Sequence, residues 1–367
     1  MNTTAEAGRY IDHEALRPRA LGGPLGRGRL RASPADFRVS EIPRVEPDGE
    51  GDHWLVEVEK RGHTTPQVAE DLARAAGVAA RHVGYAGLKD RDAVTRQWFS
   101  VPVSQHPPEQ WALAQGRVLR FDRHRRKLRR GTLSGNHFQI VLRGVTGPAE
   151  ELDRLLGRIA SRGVPNYFGP QRFGREGDNV DQLLRHLPRR GNRRGLLLSA
   201  GRAWIFNRVL AERVRDERWD QPMDGDVMML EGSRSWFAAR PDDPELFDRC
   251  RRGDIHPSGP LWGRGELPGS GAAAALERRI AGEEAAVADR LERAGMDPDR
   301  RPLRLPVAGL EWVWRGADLE LDFRLPPGGY ATTVIRELVA TESESEPAAP
   351  GSAAADPIEN PSEESES

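Results

Sequence analysis

This sequence is short of cysteine, lysine and long apolar runs, and each shortage excludes something. Cys250 is the only cysteine in 367 residues, which rules out an internal disulfide framework and a cysteine-based zinc site. No stretch reaches the roughly 18 uninterrupted apolar residues of a membrane-spanning helix. The first twenty residues, MNTTAEAGRYIDHEALRPRA, lack the apolar segment of a secretory signal. A cytoplasmic protein without membrane association is the expectation. Lysine occurs three times (Lys60, Lys89 and Lys127) among 55 basic residues. That bias reflects coding composition more than selection. A lysine kept against it marks a position where a compact charge on a flexible stem serves and a planar fork does not.

Several motifs are also absent. There is no G-x-x-x-x-G-K-[ST] phosphate loop, no G-x-G-x-x-G between strand and helix, and no H-E-x-x-H. The nine histidines are scattered without metal-ligand spacing. Gly269-Ser270-Gly271 lacks the form of a nucleophile elbow. No metal, nucleotide or flavin is expected.

What is present is charge, unevenly spread. The formal net charge is −1, yet residues 341–367 hold eight acids and no base. Residues 1–340 therefore carry 55 basic against 48 acidic side chains, a net of +7. A basic body with an acidic tail points to a polyanionic partner. The tail is Ser, Glu, Pro and Ala with almost nothing to bury, and should be disordered. Arg123 to Arg130 places six permanent positive charges in eight residues, and a second basic run lies between Arg185 and Arg194. Charges this dense repel unless an anion neutralises them, although a solvated segment is the commoner reading of one such run.

With 37% hydrophobic residues the chain can bury a sizeable core, and its length suits about two domains. Alternation predicts strands at Phe37–Ile42, His53–Glu59, Val94–Val103, His137–Arg143, Leu310–Trp314 and Leu319–Leu325. A helix is predicted from an N-cap at Thr65, with Pro66 at N1, to a stop at Gly77. Helical spacing follows at 149–161, 179–187, 199–215, 271–294 and Gly329–Ala340. Strands at both ends around a helical middle suggest a sheet domain interrupted by an insertion. An Asp beside Gly87 and Lys89 is most often a turn or capping residue, so Asp90 alone says little. From the residues alone, the reading is a basic, two-domain protein associated with nucleic acid.

The segment GYAGLKDRDAVTRQWFSVPV (84–103) resembles the signature of the TruD family of tRNA pseudouridine synthases. Four further blocks agree, in the family's order: SPADFRVSEIP (33–43), HRRKLRRGTLSGNHFQIVLR (124–143), GVPNYFGPQRFGR (163–175) and LPPGGYATTVIREL (325–338). The resemblance implies an α+β pseudouridine synthase fold, with a mixed, largely antiparallel sheet flanked by helices. It implies a discontinuous catalytic domain (1–162 and 305–340), an α/β insertion domain (163–304) and a tail at 341–367. It further implies a monomer that isomerises a uridine of tRNA, at position 13 in the D arm, with no cofactor or metal.

On that resemblance Asp90 is the catalytic aspartate, as nucleophile or as base on the sugar; the residues leave both open. Phe37 and Tyr330 match substrate-contact positions, and Phe138 is a third aromatic candidate for stacking an extruded base. Tyr330 stands where the best-known members have Phe, and its added hydroxyl needs a partner if buried. Asn136 matches a contact that reads an edge of uracil through its donor and acceptor; its bland role is to stabilise a Gly135-Asn136 turn. Lys89, beside the acid, could hold Asp90 ionised or contact a flanking phosphate. Gln97 offers a hydrogen bond within the loop. The rival readings are a non-catalytic RNA-binding protein on the same fold, and a nucleoside hydrolase using Asp90 with Asp92.

Overall fold

A computed structural model describes Tyr10 and residues 14–240 and 242–341. The tail expected to be disordered lies, after Thr341, outside the described residues. Along the chain come β1 (Phe37–Pro43), β2 (His53–Lys60), α1 (Thr65–Ala76), β3 (Val94–Pro102), β4 (Gly116–His124), β5 (Leu133–Thr146) and α2 (Ala149–Arg162). Next are α3 (Asn179–Arg185), α4 (Asn192–Arg215), β6 (Val227–Leu230), β7 (Trp236–Ala238), α5 (Leu246–Arg252) and β8 (Ile255–Leu261). The chain continues through α6 (Gly271–Glu283), α7 (Ala285–Arg293), β9 (Asp299–Pro302), β10 (Ala308–Arg315), β11 (Asp318–Leu325) and α8 (Ala331–Leu338).

The large sheet runs in the order β10-β11-β5-β1-β3-β2-β4. Its neighbours are antiparallel except β1 and β3, which are parallel. This is the mixed, largely antiparallel sheet the sequence led us to expect. Because side chains alternate along a strand, Phe37, Val39 and Glu41 share one face, and the register sets Ile140, Phe138 and Asn136 of β5 opposite them. Leu321, Phe323 and Leu325 of β11 extend the same rows. On the other side Val39 is in register with Thr95 of β3, and Gln97 and Phe99 lie opposite Val58 and Val56 of β2.

Two apolar clusters cover this face. One joins Phe37, Phe138, Ile140 and Phe323 to α2, α4 and α8; the other joins Val56, Val58, Phe99 and Val101 to Val68, Leu72 and Ala76 of α1. Between them the sheet presents Glu41, Thr95 and Gln97, all buried. A polar strip between two apolar halves is where an active-site loop can be anchored without exposing the core.

The segment 163–304 is bracketed by a two-residue ladder in which Val164–Pro165 pairs with Arg304–Leu305, so the chain leaves and returns at one place. It contains a second sheet, ordered β7-β6-β8-β9, packed against the long helix α4. This middle is less helical than its sequence suggests. The stretch 271–294 also divides at Glu284, which takes φ −107° and ψ 32° between α6 and α7. Its carboxylate is held 2.8 Å from Nη1 of Arg208 on α4, an anchor that local periodicity does not reveal.

Candidate active site

The loop between α1 and β3 is built from below. Thr64, not Thr65, caps α1: the Thr64 N–H donates to Oε1 of Gln67 at 2.8 Å, and Gly77 closes the helix at φ 69°. This frees the buried Thr65 hydroxyl, which donates to Oε1 of Gln97 and accepts the Lys89 N–H, both at 2.9 Å. Nε2 of Gln97 donates to the Gly87 carbonyl at 2.8 Å. Packing at Gly87 is close: a Cβ there would sit 3.3 Å from Nζ of Lys89, which would have to shift by a few tenths of an ångström, and 3.6 Å from Oε2 of Glu41. Helix start, strand side chain and loop backbone thus form one network.

Lys89 does not reach the Asp90 carboxylate. Its ammonium lies 2.6 Å from Oε2 of Glu41, with the two side chains 4% and 1% exposed. It pairs with a buried acid under the loop instead of with the Asp90 carboxylate. The lysine that touches residue 90 is Lys60, at the end of β2. It is 1% exposed and donates from Nζ to the Asp90 carbonyl. Desolvation pushes its ammonium down to about 8; Asp90 and Asp92 pull the other way, and Lys89 adds to the depression.

The Asp90 carboxylate faces outward at 35% exposure, and two side chains hold it. Nη2 of Arg31 donates to Oδ2 at 2.8 Å, and Nε2 of Gln171 donates to Oδ1 at 3.3 Å. Arg31 has φ 59°, a left-handed conformation that is uncommon outside glycine, and such residues concentrate at functional sites. Its guanidinium carbon lies 4.2 Å from the centre of the Phe37 ring. The turn that delivers Phe37 is fixed by Asp36, which accepts the Ser33 N–H at 2.8 Å and two bonds from Arg143 at 2.9 and 2.6 Å. Burial works against the Asp36 charge, but Arg143 and Ser33 outweigh it and hold the carboxyl below its usual range.

The aromatic candidates divide. Phe37 is 2% exposed and packs edge-on against Phe138, with its ring under Arg31; it is the floor beneath the ion pair. Phe138 stacks on Phe323 with centroids 5.5 Å apart and is core. The two-residue period sets it in the packed face of the sheet, in register with Val39 and Phe323. Tyr330, at the start of α8, is half-buried and its hydroxyl has the partner it needs, accepting from Nη2 of Arg172 at 3.1 Å. Arg172 also donates to Ser199 at 3.0 Å. Arg172 and Arg301 both approach the Phe168 ring, at 5.4 and 4.1 Å. Desolvation, reinforced by the like charge of Arg172, pushes Arg301 down to about 10. Asn136 lies within β5, in register with Glu41 and Leu325, not in a turn. Its Oδ1 is buried and has no protein partner.

Part of the Arg123–Arg130 cluster is neutralised internally. Arg125 pairs with Glu50, His124 lies 2.8 Å from Asp48, and Arg123 covers the Trp54 ring. No group of His, Cys, Asp and Glu suited to a metal occurs among the described residues. No helix among them is long and apolar enough to cross a membrane.

Sequence reasoning passed over Arg31, Gln171 and Arg172. Gln171 and Arg172 lie inside the block GVPNYFGPQRFGR, but their convergence on Asp90 and Tyr330 has no local signal. Lys60 did have one, in the scarcity of lysine.

The family model for tRNA pseudouridine synthase D (TruD) matches residues 22–183 and 175–338. A tRNA pseudouridine synthase D of Methylococcus capsulatus is 48% identical over 331 residues, covering 88% of this chain and 94% of the relative. That of Nitrosococcus oceani is 48% identical over 337 residues, with the same coverage. A crystal structure assigned as tRNA pseudouridine synthase D from Methanosarcina mazei shares the fold, with a TM-score of 0.66 at 23% identity over 86% of this chain and 94% of that one. Matched along both of its segments and in its overall fold, the chain belongs to the tRNA pseudouridine synthase D (TruD) family.

Proposed function

We propose that this protein isomerises a uridine of tRNA to pseudouridine, at position 13 of the D arm, using Asp90 and no cofactor. The observation that carries this reading is the Asp90 carboxylate, partly exposed on a braced loop and gripped on one oxygen by Arg31 and on the other by Gln171. The reaction breaks the bond from C1′ to N1, turns the uracil, and joins C1′ to C5. The departing uracil takes the bonding pair, C5 later loses its proton, and N1 gains one. Atoms and electrons balance without a redox partner.

Asp90 attacks C1′ or removes a proton from C2′. Arg31 fixes the direction of the carboxylate, so that it meets the sugar already aligned. The nucleoside must first leave its stack, at about a few kcal/mol. The Tyr330 ring offers a stacking surface that returns ~1–3 kcal/mol. The free Oδ1 of Asn136 accepts from an N–H on the uracil edge. Residues 163–304 act as an inserted unit that brings Gln171 and Arg172 to this site.

Tritium release from C5-labelled uridine in tRNA tests the assignment. Asp90→Asn is expected to abolish release while leaving tRNA affinity largely intact. Substantial turnover by this variant would remove Asp90 from the reaction.

A further inference from the structure

A second basic feature stands apart from Asp90. Where the Arg185–Arg194 run meets the end of α7, a cavity of about 200 Å³ is lined by Leu187, Arg189, Arg194, Arg290, Arg293 and Ala294. Four of its six lining residues are arginine and none is acidic. Two of them are fixed by backbone carbonyls. Arg194 donates to Pro188 at 3.1 Å and to Ala294 at 3.3 Å, and Arg290 donates to Leu183 at 3.1 Å. Carbonyl dipoles orient these guanidiniums but do not cancel their charge. Arg293 has one carboxylate neighbour, Asp289 at 2.9 Å, outside the lining. With Arg293 offset by Asp289, the three remaining like charges around an open concavity repel unless an anion enters. The volume is that of about six or seven waters, room for a phosphate group with part of its hydration.

We propose that this cavity binds a backbone phosphate of the tRNA, at a point separate from the nucleoside held at Asp90. The inference rests on the tRNA reading above and adds to it a second anchoring point. Its placement suits that role. Helix α3, seven residues and therefore about 10 Å long, links the Gln171–Arg172 turn beside Asp90 to the basic run. The chain thus runs from the first site to the second through residues 173–185.

The test is anisotropy of a labelled, unmodified tRNA transcript with the full chain at several salt concentrations. Arg189→Gln/Arg290→Gln removes two charges of the cavity that have no carboxylate partner among the described residues. Arg240→Gln/Arg251→Gln removes the same charge elsewhere, from arginines already paired with Asp242 and Asp248. The cavity variant is expected to lose about tenfold in affinity near 0.15 M salt, with the salt slope reduced by about one. The control is expected to lose less than threefold. Equal losses in the two variants, or an unchanged slope, overturn the proposal, as does a wild-type chain that binds no tRNA. The two readings fail separately: absence of pseudouridine formation with a selective loss of affinity rejects the reaction and keeps the phosphate site.

Discussion

Lys60 links the stability of this protein to the positioning of its reactive loop. Its ammonium is 1% exposed, has the Asp90 carbonyl as acceptor, and titrates at about 8 instead of 10.5. Between those values the unfolded chain holds the proton and the folded chain does not. Stability therefore rises with pH through this window, and the burial cost is borne in full below about pH 8. A shift from 10.5 to about 8 corresponds to about 3 kcal/mol. Lys60→Met keeps an unbranched stem and removes both charge and titration. Urea unfolding at pH 7, 8.5 and 10.5 should show the wild type gaining about 3 kcal/mol relative to the variant across that range. At pH 7 the variant loses one hydrogen bond but escapes the charge penalty, so its stability should lie within about 2 kcal/mol of wild type. Its kcat should fall about 10- to 100-fold, because a carboxylate on a loosened loop is misplaced by a fraction of an ångström or more. Parallel pH–stability curves for the two proteins would refute the reasoning, since nothing else in the substitution titrates there.

Other outcomes follow from the same geometry. Arg31→Gln removes the charged grip on Asp90, and kcat in the tritium assay should fall about 100-fold; an undiminished kcat would assign Arg31 to packing on Phe37 alone. Tyr330→Phe keeps the ring and deletes the acceptor of Arg172, so KM should rise about fivefold with little change in kcat, the equivalent of about 1 kcal/mol. Lys89→Met strands the Glu41 carboxylate and should cost about 3–5 kcal/mol in urea unfolding. Glu41→Gln/Lys89→Met should recover much of that loss; if it does not, the pair is not the unit of stability it looks to be.

The outline of the fold was legible wherever a strand or helix had one clear face. The alternation at His53–Glu59, realised as the strand His53–Lys60, and the spacing of Leu152, Leu155, Leu156 and Ile159 each report which side chains the structure buries. β4 escaped notice because its arginines pair with Glu57 and Glu59 of the neighbouring strand, so charge masks the period. The strands β6 and β7, of four and three residues, are too short to show one.

The sequence by itself determined the composition of the site's blocks, the acid within a glycine-rich loop, and the hint that scarce lysines matter. Only the tertiary structure decided which lysine meets which partner. Lys89, next to Asp90 in the chain, turns under the loop to Glu41, while Lys60, thirty residues away, reaches Asp90 itself. The same holds for Arg31 and Gln171, 59 and 81 residues from the carboxylate they orient. Local pattern records which face of an element is buried. Long-range pairing depends on how strands register and helices pack, and those interactions join segments that no short window contains.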